Sequence, residues 1–314
     1  MTIQLTDFAD LPISLIHTND VDAHEMVPSL LWEETFGPHS GRIAKLLEPL
    51  LKKFVLGNDF YNPEFAGDWR EPTVDNVWNL RGTAAPSAVD LRRRLEVLDV
   101  MGIERQLIFS SYSIFCTSLV SSSEFQIRDS MELDLPLDEV RALGRDGLDE
   151  YNRWAATMTG LAPDRLRMVG YVVPDRTLAD LVRETQHLLD AGIRAIHVPS
   201  SMAPAGLSPA APELDEFYSM LERRQATLTI HVGGEFGFLK DPAWGRAPAF
   251  KPGRVESHEL GLEPYSMATL HFPIDNYLTA MVLGGVFERH PDLRMGVIEV
   301  TARWLGPLAQ SLDM

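Results

Sequence analysis

The stretch that decides the fold is Thr227-Leu228-Thr229-Ile230-His231-Val232-Gly233-Gly234. In an extended chain successive side chains alternate between faces, so Leu228, Ile230 and Val232 share one face and Thr227, Thr229 and His231 the other. The apolar face suits contact with outer helices. The polar face turns inward, with His231 last before two glycines. A (β/α)8 barrel makes this demand, because its functional side chains gather at the C-terminal ends of the strands.

The flanking sequence alternates strand-like and helix-like segments. Residues 87 to 102 read as a helix with Ser87 and Asp90 in capping-box spacing, Leu91, Leu95 and Leu98 on one face, and Gly102 as the stop. Gln106 to Phe109 and Met168 to Val173 read as strands. A helix follows from Thr177 and Asp180, with an apolar stripe of Leu178, Leu181, Val182, Leu188 and Leu189 and a stop at Gly192. Then come a strand Arg194 to Val198, a helix near Glu213 to Arg224, the strand from Thr227, a long helix near Ile274 to Glu288, and a strand Arg294 to Val300. This order implies parallel pairing through right-handed crossovers, hence an α/β fold. A doubly wound nucleotide-binding sheet is disfavoured, since no Gly-x-Gly-x-x-Gly turn is present.

Other strand ends repeat the pattern of His231. Asp20, Asp22 and His24 stand at a spacing of two and are expected on one side of the first strand, with Val21 and Ala23 on the other. His197 comes near the end of its strand, and Glu299 near the end of the last. Taken singly, Asp22 with His24 reads as a capping pair and His197 as a hydrogen-bonded structural histidine. Taken together, imidazoles and carboxylates converging in a cavity call for a neutralising cation. His258 and Glu259, in a Pro/Gly-rich stretch, read as solvated.

Composition limits the alternatives. The 314 residues are 45% hydrophobic and 23% charged, enough apolar content for one large core, and a single domain spanning 1–314 is the simplest partition. With 45 acidic against 28 basic residues the formal charge is -17, which disfavours nucleic acid and anionic membrane surfaces. Cys116 is the lone cysteine, which excludes an intrachain disulfide and a thiolate zinc cluster. No leader or membrane-spanning pattern is legible, and a cytoplasmic location is expected.

The stretch from Asp20 through Asp22-Ala23-His24 to Pro28 resembles the first-strand signature of the amidohydrolase-related proteins grouped around aminocarboxymuconate-semialdehyde decarboxylase, commonly Asp-x-His-x-His followed by proline. Asp22 stands where the first histidine is usual. Ala191-Gly192-Ile193-Arg194-Ala195-Ile196 and Ile230-His231-Val232-Gly233-Gly234 look like middle strands of that family. The most specific match is Gly284-Gly285-Val286-Phe287-Glu288-Arg289-His290-Pro291-Asp292-Leu293-Arg294, running on to Ile298-Glu299 and Trp304.

The resemblance implies a (β/α)8 TIM barrel with one divalent metal, often zinc, at its C-terminal mouth. Asp22, His24 and His231 would be ligands, and Glu299 would orient a group or transfer a proton, with His231 also in the catalytic set. A small, carboxylated or aromatic substrate would be hydrolysed or decarboxylated. The family also expects an aspartate in a Ser-Asp-Tyr-Pro-like motif, which does not occur in this sequence, and six strands are legible where eight close a barrel. The barrel is therefore expected to be incomplete at the C-terminus, and its open sheet edges to make the chain either aggregation-prone or able to pair with another copy as a homo-oligomer. Stretches 30–85 and 110–140 are expected as long loops roofing the pocket, with Trp32, Trp69, Trp78 and Phe115 as candidate walls and His197 as a substrate contact. The competing function is a non-catalytic barrel relative serving as a binding or assembly module.

Overall fold

The computed structural model describes residues 18–54, 67–173, 175–233, 242–245, 247–250 and 264–313. His258, Glu259 and Gly234 lie outside these residues. Among the described residues there are six strands: β1 Thr18–Glu25, β2 Ile103–Ser110, β3 Leu166–Tyr171, β4 Ala195–His197, β5 Thr227–His231 and β6 Arg294–Ile298. They form one sheet in the order β1 to β6, and every pair is parallel. The sheet curls, so that side chains of β1 and β5 meet. The architecture is that of a (β/α)8 barrel through six of its strands, with β1 and β6 as the outer strands of the described sheet.

Local chemistry sets the helices between strands. Thr177 caps the helix Leu178–Asp190 by accepting the Asp180 amide at 3.2 Å, as its spacing predicts. The helix expected over 87–102 begins later, at Arg94–Met101, and ends at Gly102 with φ 71. Asp90, not Ser87, caps the preceding turn by accepting the Arg92 amide at 3.0 Å. Ser87 is buried and bonded to Arg94 instead. The long helix expected near 274–288 divides into Phe272–Leu283 and Val286–Arg289, because Gly285 adopts a left-handed φ of 68.

The stretches expected as long loops hold helices. Residues 30–85 include the helix Pro38–Phe54, and 110–140 include Ser111–Ser121 and the start of Leu137–Leu161. The apolar face of Pro38–Phe54, with Ile43, Leu47 and Leu51 buried, packs toward the Leu137–Leu161 helix. Glu150 of that helix, buried itself, accepts the amides of His39 and Ser40 at 3.0 and 2.8 Å and the Ser40 hydroxyl at 2.6 Å. It thereby satisfies the first turn of Pro38–Phe54, where backbone donors have no partner within the helix. Gly37 is required beside it, since a Cβ there would lie 2.5 Å from the Glu150 carboxyl and φ is +148.

Candidate metal centre

The end of β1 departs from simple alternation. Asp20 pairs with Gln106 and Ala23 with Ile108, so three steps on β1 oppose two on β2 and the strand bulges at Val21 and Asp22. The expectation that Asp20, Asp22 and His24 share one side is corrected here. Asp20 turns to Gln106, whose Nε2 donates to Oδ2 at 2.8 Å, and its Oδ1 accepts the Asp22 amide at 3.0 Å. Asp22 and His24 converge on the mouth of the sheet.

There they meet His231 and Glu299, and one ligand atom from each of the four lies within 4.8 Å of the others. His231 Nε2 is 3.4 Å from Asp22 Oδ1 and 3.3 Å from Glu299 Oε2. His24 Nε2 is 3.6 Å from Asp22 Oδ1 and 3.9 Å from Glu299 Oε2. Four donors at about 2.1 Å from a tetrahedral ion would stand roughly 3.4 Å apart, so the observed edges fit one small divalent cation. The imidazoles are also oriented for it. His231 Nδ1 donates to the Val232 carbonyl at 2.8 Å, which makes Nε2 the nitrogen that faces the cluster. His24 Nδ1 faces the Ser111 hydroxyl at 3.4 Å.

Electrostatics agree with the donor set. Burial opposes ionisation of Asp22, but hydrogen bonds and charge from His231 and His24 outweigh it and hold the carboxyl well below the usual range. Burial likewise opposes a charged His231, while Asp22, the Val232 carbonyl and Glu299 together raise its pKa. An anionic pocket that favours positive charge on His231 is one where a cation can take the proton's place. His231 is 2% exposed, whereas the side chains of Asp22 and Glu299 are 35% and 46% exposed. The cluster thus rests on a buried histidine and opens to solvent on its carboxylate side. Phe109, its ring centroid 4.3 Å from that of His231, supplies an apolar wall.

Glu299 is held at φ 58 and Thr301 at φ 56, left-handed conformations uncommon for side-chain-bearing residues. Between them Val300 is buried. The turn after β6 therefore aims Glu299 inward at the expense of backbone strain.

The other sequence candidates fall outside the four. His197 is buried, its ring centroid 4.7 Å from that of Tyr171, and it lines a small recess with His231, Ile114, Thr117, Tyr171 and Gly233. Burial, reinforced by His231, pushes its pKa down to about 3, so it is neutral, and its Nδ1 has no hydrogen-bond partner among the described residues. Trp32 is not a pocket wall: it is fully buried, stacks edge-on to Tyr112 at 4.7 Å, and donates Nε1–H to the Val27 carbonyl at 2.8 Å. Phe115 is partly buried behind it, at 5.5 Å. Trp69 is 71% exposed, with the Arg70 guanidinium 4.7 Å over its ring, and Trp78 is 49% exposed. Sequence reasoning missed Phe109, Ser111, Gln106 and Arg94, whose contacts depend on which strands adjoin.

No curated protein matches the sequence. Solved structures do resemble the fold. An amidohydrolase of Mycobacterium avium subsp. paratuberculosis K-10 is 17% identical, with 95% of this chain aligned to 77% of that one at a TM-score of 0.57. IDCase of Metarhizium anisopliae in its apo form is also 17% identical, with 96% of this chain aligned to 70% of that one at a TM-score of 0.52. The amidohydrolase family profile matches residues 141–300, half of the chain, and takes in β3 to β6 with both His231 and Glu299. By that match the chain belongs to the amidohydrolase family.

Proposed function

We propose that the chain binds one divalent cation between Asp22, His24, His231 and Glu299 and acts on a small carboxylated or aromatic substrate, by hydrolysis or decarboxylation. The observation that carries this reading is the set of four ligand-to-ligand distances between 3.3 and 3.9 Å on β1, β5 and the turn after β6. Two imidazoles with two carboxylates suit zinc, and also manganese or iron. When bound, the ion supplies a Lewis acid that polarises a substrate oxygen or brings the pKa of water toward neutrality.

The chain's own residues do the rest. His231, whose Nδ1–H donates to the Val232 carbonyl, presents Nε2 to the cluster in a fixed direction. Glu299, nearly half exposed, carries a proton between solvent and the reacting carbon or leaving group. The recess beside His231 is about 10 Å³, the room of a single water, to which neutral His197 offers Nδ1 as a hydrogen-bonding group. Phe109 excludes water from the inner side. Purification without chelator followed by elemental analysis should give about one divalent ion per chain, and a panel of aromatic carboxylates assayed for carbon dioxide release and for hydrolysis should show turnover that a chelator abolishes. A chain that takes up no divalent ion on reconstitution would overturn the reading in favour of a non-catalytic binding module.

A further inference from the structure

Arg94 is 7% exposed, and its acceptors among the described residues are all neutral. Nε donates to the Ser87 carbonyl and hydroxyl at 3.1 and 3.0 Å, and Nη1 donates to Gln106 Oε1 at 3.0 Å. Nη2 donates to the carbonyls of His24 at 3.0 Å and Ser87 at 2.8 Å. Burial pushes the guanidinium down to about 10, which leaves it charged at neutral pH. Asp68, Asp20 and Glu25 lie close enough to offset part of the cost of burial, but no carboxylate among the described residues accepts a hydrogen bond from Arg94, so its hydrogen bonds define what it holds.

Those contacts define β1. One arm reaches the backbone of His24 itself. The other passes through the Gln106 side chain to Asp20 Oδ2 at 2.8 Å, and from Asp20 Oδ1 to the amide of Asp22 at 3.0 Å. The two arms end on the two β1 residues that enter the cluster. They also span the bulge, where Val21 and Asp22 have no register partner on β2, and β1 has β2 as its only neighbour in the described sheet. Ladder bonds do not fix Asp22 there; the side-chain relay does.

We infer that Arg94 is a positioning residue for cation binding, holding Asp22 and His24 against His231 and Glu299 through the His24 carbonyl and the Gln106–Asp20 relay. The inference rests on the reading of the four residues as a metal site, and goes beyond it by assigning the preorganisation to groups that do not touch the ion. Support of this kind around metal ligands is worth roughly 10- to 100-fold in affinity.

The test uses cobalt(II), whose visible spectrum reports ligand geometry. Affinity by chelator competition and the spectrum are measured for the wild type, Arg94→Gln, Arg94→Lys and Gln106→Met, with far-ultraviolet circular dichroism to confirm folding. Gln106→Met cuts the relay while keeping volume, so it decides the matter should an Arg94 variant not fold. We expect Gln106→Met to weaken cobalt by at least about tenfold and to alter its spectrum, Arg94→Gln to do so more strongly, and Arg94→Lys to recover part of the loss. Failure of the wild type to bind cobalt would overturn the metal reading and this inference with it. Tight cobalt binding by the wild type, matched in affinity and spectrum by folded Gln106→Met, would overturn this inference alone.

Discussion

Asp22 Oδ1 and His231 Nε2 meet at 3.4 Å although the residues are 209 positions apart and their strands are separated by three others in the sheet. In a flat sheet, four strand intervals of about 4.8 Å would set their backbones roughly 19 Å apart, beyond the reach of two side chains rising from one face. The contact therefore requires the sheet to curl as a barrel wall does. It also makes curvature a condition of the chemistry, because the cluster exists only while β1 faces β5 and β6.

Removing one imidazole should leave a three-donor remnant too weak to retain a cation through dialysis. We expect His24→Ala and His231→Ala each to lose bound metal by elemental analysis, with little change in circular dichroism. His187→Ala, on the exposed side of the Leu178–Asp190 helix, should retain it. Normal metal in both cluster variants would place the ion elsewhere.

Glu299 combines a functional carboxylate with a strained backbone. Glu299→Gln keeps the shape and removes the charge, and turnover is expected to fall roughly 10²-fold or more. Glu299→Gly relieves the left-handed conformation and should raise unfolding stability by about 1 kcal/mol while lowering metal affinity. Chemical denaturation alongside metal titration checks both, and a Glu299→Gly chain less stable than wild type would remove strain from the explanation.

His197 gives a pH signature. Its pKa in the folded chain is about 3 against 6.5 for the free side chain, because burial disfavours the charged form. Between those values the unfolded chain binds a proton that the folded chain does not, so stability rises with pH across the window. The contribution is complete above pH 6.5 and is lost on acidification toward 3, at about 1.4 kcal/mol per pH unit. Denaturation curves of wild type and His197→Gln at several pH values should diverge in this window, the variant showing the shallower dependence. Parallel curves would mean that His197 is protonated in the folded state.

Glu150 tests packing apart from chemistry. Truncation to Ala would strand the Ser40 and His39 amides and leave the Ser40 hydroxyl only its Tyr112 partner, and a cost of about 3 kcal/mol is expected from the unmet donors. Metal affinity of the folded fraction should not change. A loss of affinity at constant stability would instead tie the outer helices directly to the site.

The strand order and most of the cluster were legible because both follow from short-range rules. Alternation in Thr227–His231 placed His231 at an inward strand end, and the Thr177 cap and Gly192 stop marked a helix without reference to anything distant. Alternation failed at Asp20, where a bulge breaks the period of two, and no local signal in Asn19 to Ala23 announces it. Trp32 was misread as a wall because an aromatic side chain looks the same in sequence whether a pocket or a helix lies beside it. Arg94 was invisible for a different reason: a charged residue in an amphipathic helix reads as solvated, and its buried partners come from 7, 12 and 70 residues away.

The central claim, that Asp22, His24, His231 and Glu299 hold one cation, is tested most directly by anomalous diffraction from crystals grown with zinc or manganese. The expected result is a single strong anomalous peak about 2.0–2.2 Å from Asp22, from Nε2 of His24 and His231, and from Glu299. An ordered cluster with no peak at saturating metal, or a peak bound by other residues, would contradict it.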